Sequence, residues 1–239
     1  GCSGIFSHEN EKITAIANML FEKGVRFSSA DFETPKKKYV ILKEGSQVHV
    51  SDIVCEYGAY LLKQNGNPLE TLRTTGNSIR EEAVSMFIFR DFPGHIYISN
   101  MNQRIFVSFD EDGVKLCSCA LALGDRRKNG VELLPNSVSD VTADGIRMET
   151  LSHDLHPYGF IPSNLEAAFI AWMKKNPQTR LADVFDYALK GHYPPEILRS
   201  LPIYEIFEKL YYDGVVRVKR EFDRPGMDEN GSVMDWIVY

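Results

Sequence analysis

Cysteine is scarce in this 239-residue chain: Cys2, Cys55, Cys117 and Cys119 are the full set. That density is far below a disulfide scaffold. No apolar run approaches the roughly 20 residues a bilayer-crossing helix needs, so no membrane association is expected. Excess positive charge is missing too. Lys and Arg number 27 against 33 Asp and Glu, a net charge of -6, which speaks against general nucleic-acid binding while leaving room for a local basic face. Internal repeats and low-complexity tracts are absent. At the N-terminus, the polar stretch His8 to Lys12 sits where a secretory signal would carry its apolar core. These absences together point to a reducing, cytoplasmic setting.

What is present suits a globular protein. Apolar residues make up 44% and charged residues 25%, ordinary values that exclude disordered and fibrous classes. The length allows one large domain, or a medium domain with a small companion.

The chain opens with a strand-like stretch, Cys2 to Phe6. Apolar residues at Ile13, Ile16, Ala17, Leu20 and Phe21 then predict a helix over Glu11 to Lys23, stopped by Gly24. Tyr39 to Leu42 reads as a short strand between Pro35 and Gly45. Ser51 to Lys63 predicts a second helix, broken at Asn65-Gly66-Asn67-Pro68. From Val84 the texture changes to short runs rich in β-branched and aromatic residues: Val84 to Phe89, His95 to Ser99, Gln103 to Phe109 and Val114 to Cys119. Turn signals separate them, and Ser137 to Leu151 adds another pair around Asp144-Gly145, so consecutive antiparallel strands are expected. The pattern breaks over His153 to Pro162. Helices are predicted over Asn164 to Lys175, Leu181 to Leu189 and Pro195 to Tyr212, then strands at Val215 to Arg220 and Val233 to Val238. Helices followed by a two-stranded hairpin outline a small winged-helix-like module. The expected division is 1–152 and 160–239.

The opening Cys2-Ser3-Gly4-Ile5-Phe6, followed by a helix ending at Gly24, resembles the start of class II glutamine amidotransferases. Members such as the glutaminase half of glucosamine-fructose-6-phosphate aminotransferase begin Met-Cys-Gly-Ile-Phe; here one serine is inserted. A longer similarity runs from Val50 to Leu151. The helix ending Tyr60 to Gln64, the strand Ala83 to Phe89, and the stations Ile105 to Phe109, Leu116 to Leu121, Leu133 to Pro135 and Asp144 to Ile146 follow the family's order and spacing. The resemblance implies an α+β fold, the N-terminal-nucleophile-hydrolase αββα sandwich of two antiparallel sheets between helical layers. It also implies hydrolysis of glutamine to release ammonia for transfer, as in glucosamine-6-phosphate synthesis, without a cofactor. Glutamine is then the small-molecule substrate, and a separate acceptor-domain partner is implied because no sugar-phosphate isomerase segment follows.

The same resemblance names the site. Cys2 stands at the nucleophile position. At the family's Thr-Asp-Thr-Glu station the chain reads His49-Val50-Ser51-Asp52, so Asp52 is the acid expected near substrate, although it falls at the family's glutamate. The family's His-Thr-Arg-Trp and His-Asn-Gly segments have no counterpart. A rival alignment sets Gly4 to Phe27 against the family helix just after His-Asn-Gly, which makes Cys2 incidental. The alternative function is therefore an amidotransferase-like scaffold without the chemistry, serving in binding or regulation.

A cysteine at a chain start can hydrolyse an amide with few helpers. Its own α-amino group takes the thiol proton, and the thiolate attacks the glutamine side-chain amide while hydrogen-bond donors hold the oxyanion. Other clusters read more plainly. Cys117 and Cys119 are expected as structural thiols, neither a metal clamp nor a mutual disulfide. His153-Asp154-Leu155-His156 is too small a set for a metal site and reads as a polar interdomain loop. Asp110-Glu111-Asp112-Gly113 reads as a hairpin turn rather than a calcium loop. Arg217, Lys219, Arg220 and Arg224 form a basic wing balanced by Glu221, Asp223, Asp228 and Glu229, expected as a solvated strand face. Phe169, Trp172, Phe185, Tyr187, Phe207 and Tyr211 are expected in core or in a homo-oligomer contact.

Overall fold

A computed structural model of the chain describes residues 10–31, 40–79, 84–101, 103–151, 164–180, 183–184, 200–222 and 233–238. The strand expected at Cys2 to Phe6 and nearly all of the helix expected at Leu181 to Leu189 lie outside the described residues. The chain divides into two units, Gly1–Leu155 and His156–Tyr239.

Helix α1, Asn10–Glu22, buries Ile13, Ala17 and Leu20 completely, the i, i+4, i+7 stripe of an amphipathic helix. It ends as its sequence predicts. Gly24 adopts φ 86°, its N–H donates to the Phe21 carbonyl and that of Val25 to the Leu20 carbonyl, a Schellman arrangement. A two-stranded hairpin, β1 (Val40–Ile41) and β2 (Gln47–Val48), follows. Buried Asn18 ties it to α1: Nδ2 donates to the Thr14 carbonyl at 2.8 Å, and Oδ1 accepts from the Lys43 N–H at 2.9 Å.

Helix α2, Val50–Asn65, stops at Gly66 in the left-handed conformation. The break expected at Asn65 to Pro68 is a corner between two helices: Asn67 caps α3, Pro68–Ser78, accepting from the Glu70 N–H, and Pro68 opens its first turn. The side of α3 turned inward is polar and small, with Thr71, Thr75 and Gly76 buried, so it lacks the apolar stripe that marks α1.

Two antiparallel sheets follow. One has the order β3-β4-β8-β9 (Val84–Phe87, Ile96–Asn100, Ser137–Thr142, Gly145–Thr150). The other has the order β6-β5-β7 (Gly113–Cys117, Phe106–Asp110, Gly130–Glu132). Alternation along each strand sorts the side chains into layers. Phe87, Tyr97 and Val138 join Ile13, Leu20, Ile53 and Leu72 in a core between the four-stranded sheet and the helices. From the opposite face, Ile98 and Val141 meet Ile105, Val107 and Leu133, with Val84, Phe109, Leu116 and Met148 packed around them. Phe106 and Cys117 face outward from the three-stranded sheet onto Ala120 and Leu123 of a 3-10 segment, Ala120–Asn129. The order within this unit is helices, sheet, sheet, 3-10 cover.

In the second unit, α4 (Leu165–Lys175) precedes β10 (Gln178–Thr179), and α5 (Ser200–Tyr212) precedes β11 (Arg217–Phe222) and β12 (Val233–Val238). The expected hairpin is widened to three antiparallel strands in the order β10-β12-β11. Leu165, Phe169, Met173, Ile203, Ile206, Phe207 and Leu210 are buried. Lys209 of α5 reaches Glu166 of α4 at 2.9 Å and Asp213 at 3.2 Å, and these two hydrogen bonds raise its pKa. Tyr211 differs from the core expectation: it is 38% exposed.

Candidate functional site

The two residues named for the site separate here: Cys2 lies outside the described residues, and Asp52 sits in the first turn of α2. The sequence places an acid at this turn, where the positive end of the helix favours it. Its carboxylate gathers a turn distant in sequence. Oδ2 accepts from the Ser29 N–H at 2.7 Å, the Ser29 hydroxyl at 2.8 Å and the Ser28 hydroxyl at 3.2 Å. Every hydrogen bond it receives from the described residues falls on this one oxygen. Ser29 Oγ in turn accepts from the His49 N–H at 3.0 Å, so the Ser28–Asp31 3-10 turn, the helix cap and the carboxylate form one unit. The His49 imidazole caps the helix: Nδ1 accepts from the Ser51 N–H at 3.3 Å and meets the Ser51 hydroxyl at 2.5 Å.

Serine, histidine and aspartate are all present, but their order is not that of a nucleophilic relay. A relay needs the imidazole between the hydroxyl and the acid. Here the Ser29 hydroxyl bonds the acid directly, and the His49 contact to Ser29 is through its backbone. The cluster positions a turn and leaves Asp52 Oδ1 outside its hydrogen bonds. One helical turn on, the thiol of Cys55 has its pKa raised, by burial first and then by the negative charges of Glu56 and Asp52. A thiol kept protonated is a poor nucleophile.

A second polar pair was not legible beforehand. His95 Nδ1 and Asp140 Oδ1 lie 2.8 Å apart, brought together because β4 and β8 are neighbours in the sheet. The imidazole stacks on Tyr97, centroids 5.6 Å apart and planes at 7°. Tyr97 also touches Phe89 and Phe92, and its hydroxyl is held above the usual phenol range by burial and then by Asp140. The separation of 45 residues between His95 and Asp140 leaves no local motif to find.

The remaining clusters fall as follows. Asp110 to Gly113 forms the turn between β5 and β6: the Asp112 N–H donates to Asp110, and the Lys115 ammonium reaches both acids at 2.7 and 3.2 Å. Cys117 ends β6, whereas Cys119 lies in the bend beyond it, and neither is in a disulfide. His153 to His156 lies outside the described residues. Among the described residues, no group of three or more His, Cys, Asp and Glu could hold a metal ion, and no helix is long and apolar enough to cross a membrane.

No protein-family model matches the chain, and no curated protein matches it. Among solved structures it is similar to glutamine phosphoribosylpyrophosphate amidotransferase from B. subtilis complexed with ADP and GMP. The identity is 11%, the TM-score 0.43, and the match covers 90% of this chain and 46% of that one. The chain thus spans less than half the length of that protein, and a likeness at this level bears on neither substrate nor site residues.

Proposed function

We propose that this chain is a divergent class II glutamine amidotransferase-like protein that hydrolyses glutamine and releases ammonia to an acceptor supplied by a partner. The observation carrying this reading is the layer order of the first unit, two stacked antiparallel sheets with helices on one outer side. It supports the sequence resemblance because the resembling stations Ile105 to Phe109 and Leu116 to Leu121 begin on or beside β5 and β6, and Asp144-Gly145 turns β8 into β9.

In this reading the Cys2 thiolate attacks the γ-carbonyl of glutamine, its proton passing to the α-amino group of the same residue. Collapse of the tetrahedral intermediate expels ammonia, and water then cleaves the thioester to glutamate. Asp52 serves through Oδ1, which could accept from the substrate ammonium while Oδ2 keeps the serine turn in place. The chemistry requires Cys2 to carry a free amine, so Gly1 must be removed. The second unit is read as winged-helix-like, supported by the helix before β10, the helix before β11 and the sheet order β10-β12-β11.

A second reading, a scaffold with a binding or regulatory role, is favoured by Asp52 itself, since its serine contacts give the acid a structural task without any substrate. One experiment separates the two. With Cys2 exposed as the first residue, ammonia release from glutamine is expected, and Cys2→Ala should abolish it. Equal rates from the two chains would end the catalytic reading and leave the scaffold.

A further inference from the structure

The four-stranded sheet has two unlike edges. β9 carries Arg147 and Glu149, paired at 2.8 Å, with Arg147 exposed. Edges are normally protected from further pairing by such charges, or by proline or covering elements. β3, at the opposite edge, pairs only with β4 among the described residues. From Val84 to Phe89 it carries no charge at all. Phe87 points into the helix-side core, while Met86 and the following Ile88 are 49% and 78% exposed.

We propose that β3 is the surface through which two copies of this chain associate, edge to edge and antiparallel, joining two four-stranded sheets into one of eight. A two-fold axis normal to the sheet keeps helix-facing residues opposite helix-facing ones, so opposed positions differ by an even number. With Met86 on the axis, Met86 meets its own copy, and Val84 of each chain lies opposite Ile88 of the other. The apolar residues therefore complete one another in cross-strand pairs. The flanking charges select this register. Glu82, which lies outside the described residues and enters by its place in the sequence, comes opposite Arg90 of the other copy. An axis on Ser85 would set Ile88 against Glu82, and one on Phe87 would set Arg90 against Val84. Arg90 now contacts only its neighbour Asp91 at 3.2 Å, with side chains 94% and 73% exposed, an interaction too weak to hold it back. An acid and a base symmetrically placed about one apolar run fit a second copy of the same run better than any unrelated strand.

The test begins with the mass of the full chain by light scattering across a concentration series. A mass twice the 27.2 kDa of one chain is expected at the upper end, reduced to one chain by the pair Met86→Lys and Ile88→Lys with circular dichroism unchanged. Register is read separately: in a Cys55→Ser background, Met86→Cys should give a disulfide-linked dimer on mild oxidation, and Val84→Cys mixed with Ile88→Cys should cross-link while neither does alone. Arg90→Glu should weaken association at least tenfold, and mixing it with Glu82→Arg should restore pairing. A chain that stays single throughout the series overturns the proposal, as does dimerisation that survives both lysines. Failure of Met86→Cys to cross-link overturns the register.

Discussion

Asp52 Oδ2 holds three donors from two consecutive serines, and that concentration on a single atom sets what its removal should do. Hydrogen bonds to an ionised acceptor contribute more than neutral ones, so Asp52→Ala should cost about 1–2 kcal/mol of stability, read from urea unfolding. Ser29→Ala removes a donor to Asp52 and the acceptor of the His49 N–H together, and a double-mutant cycle between the two should show coupling above about 0.5 kcal/mol. Additive effects would mean that the serine turn is held by something else. Cys55 offers a test by pH. Its thiol is exposed at the surface, yet its pKa is raised by burial around the sulfur and by Glu56 and Asp52. The folded chain therefore keeps this proton at a pH where an unfolded thiol has begun to lose it. Alkylation of Cys55 by iodoacetamide should lag that of the urea-unfolded chain below the ordinary thiol range and close the gap only above it. Asp52→Asn should narrow the lag without removing it, because burial is the larger cause.

Elements differ in how plainly they announce themselves. α1 was legible from its apolar stripe and Gly24, and the strands from β3 to β6 and from β8 to β9 from their β-branched runs between turn signals. α3 was not, because its buried side is Thr71, Thr75 and Gly76 rather than Leu and Ile; only Asn67, Pro68 and Glu70 mark its start. β7 and β10, with three and two residues, are too short to show a period. Of the site, Asp52 was found by its position, but its serine partners lie 23 and 24 residues away, where polar contacts leave no periodic trace. Close packing between elements makes a sharper forecast. A Cβ on Gly58 of α2 would stand 2.7 Å from Phe87 Cε1 on β3, and Phe87 is itself buried and stacked on Phe89. Gly58→Ala should cost about 1–3 kcal/mol despite the better helix propensity of alanine. Phe87→Leu should recover part of that loss in the double variant; a neutral Gly58→Ala would show that α2 can lift from the sheet.

For the whole molecule, the two units carry separate tasks in the proposed reading. The layered first unit holds the resemblance and Asp52, and the second contributes helices and a three-stranded sheet. The sequence makes the separation visible through a change of texture near His153, where strand-like runs give way to helical ones. The net charge of -6 shapes how ammonia could be handed on: a predominantly acidic surface suits a partner with a basic docking face more than it suits a nucleic acid.

The strand order of the first unit also dictates a timetable. β4 is bonded on one side to β3, its neighbour in the chain, and on the other to β8, yet β5, β6 and β7 lie between β4 and β8 in sequence. The chain must therefore complete or loop out an entire second sheet before the central pairing of the first can close, and such non-local closure is slow. Pulsed hydrogen exchange during refolding should find the β5–β6 hairpin amides protected first, and those shared by β4 and β8 among the last. Simultaneous protection of both would mean that the two sheets condense together around Ile98, Val107 and Val141.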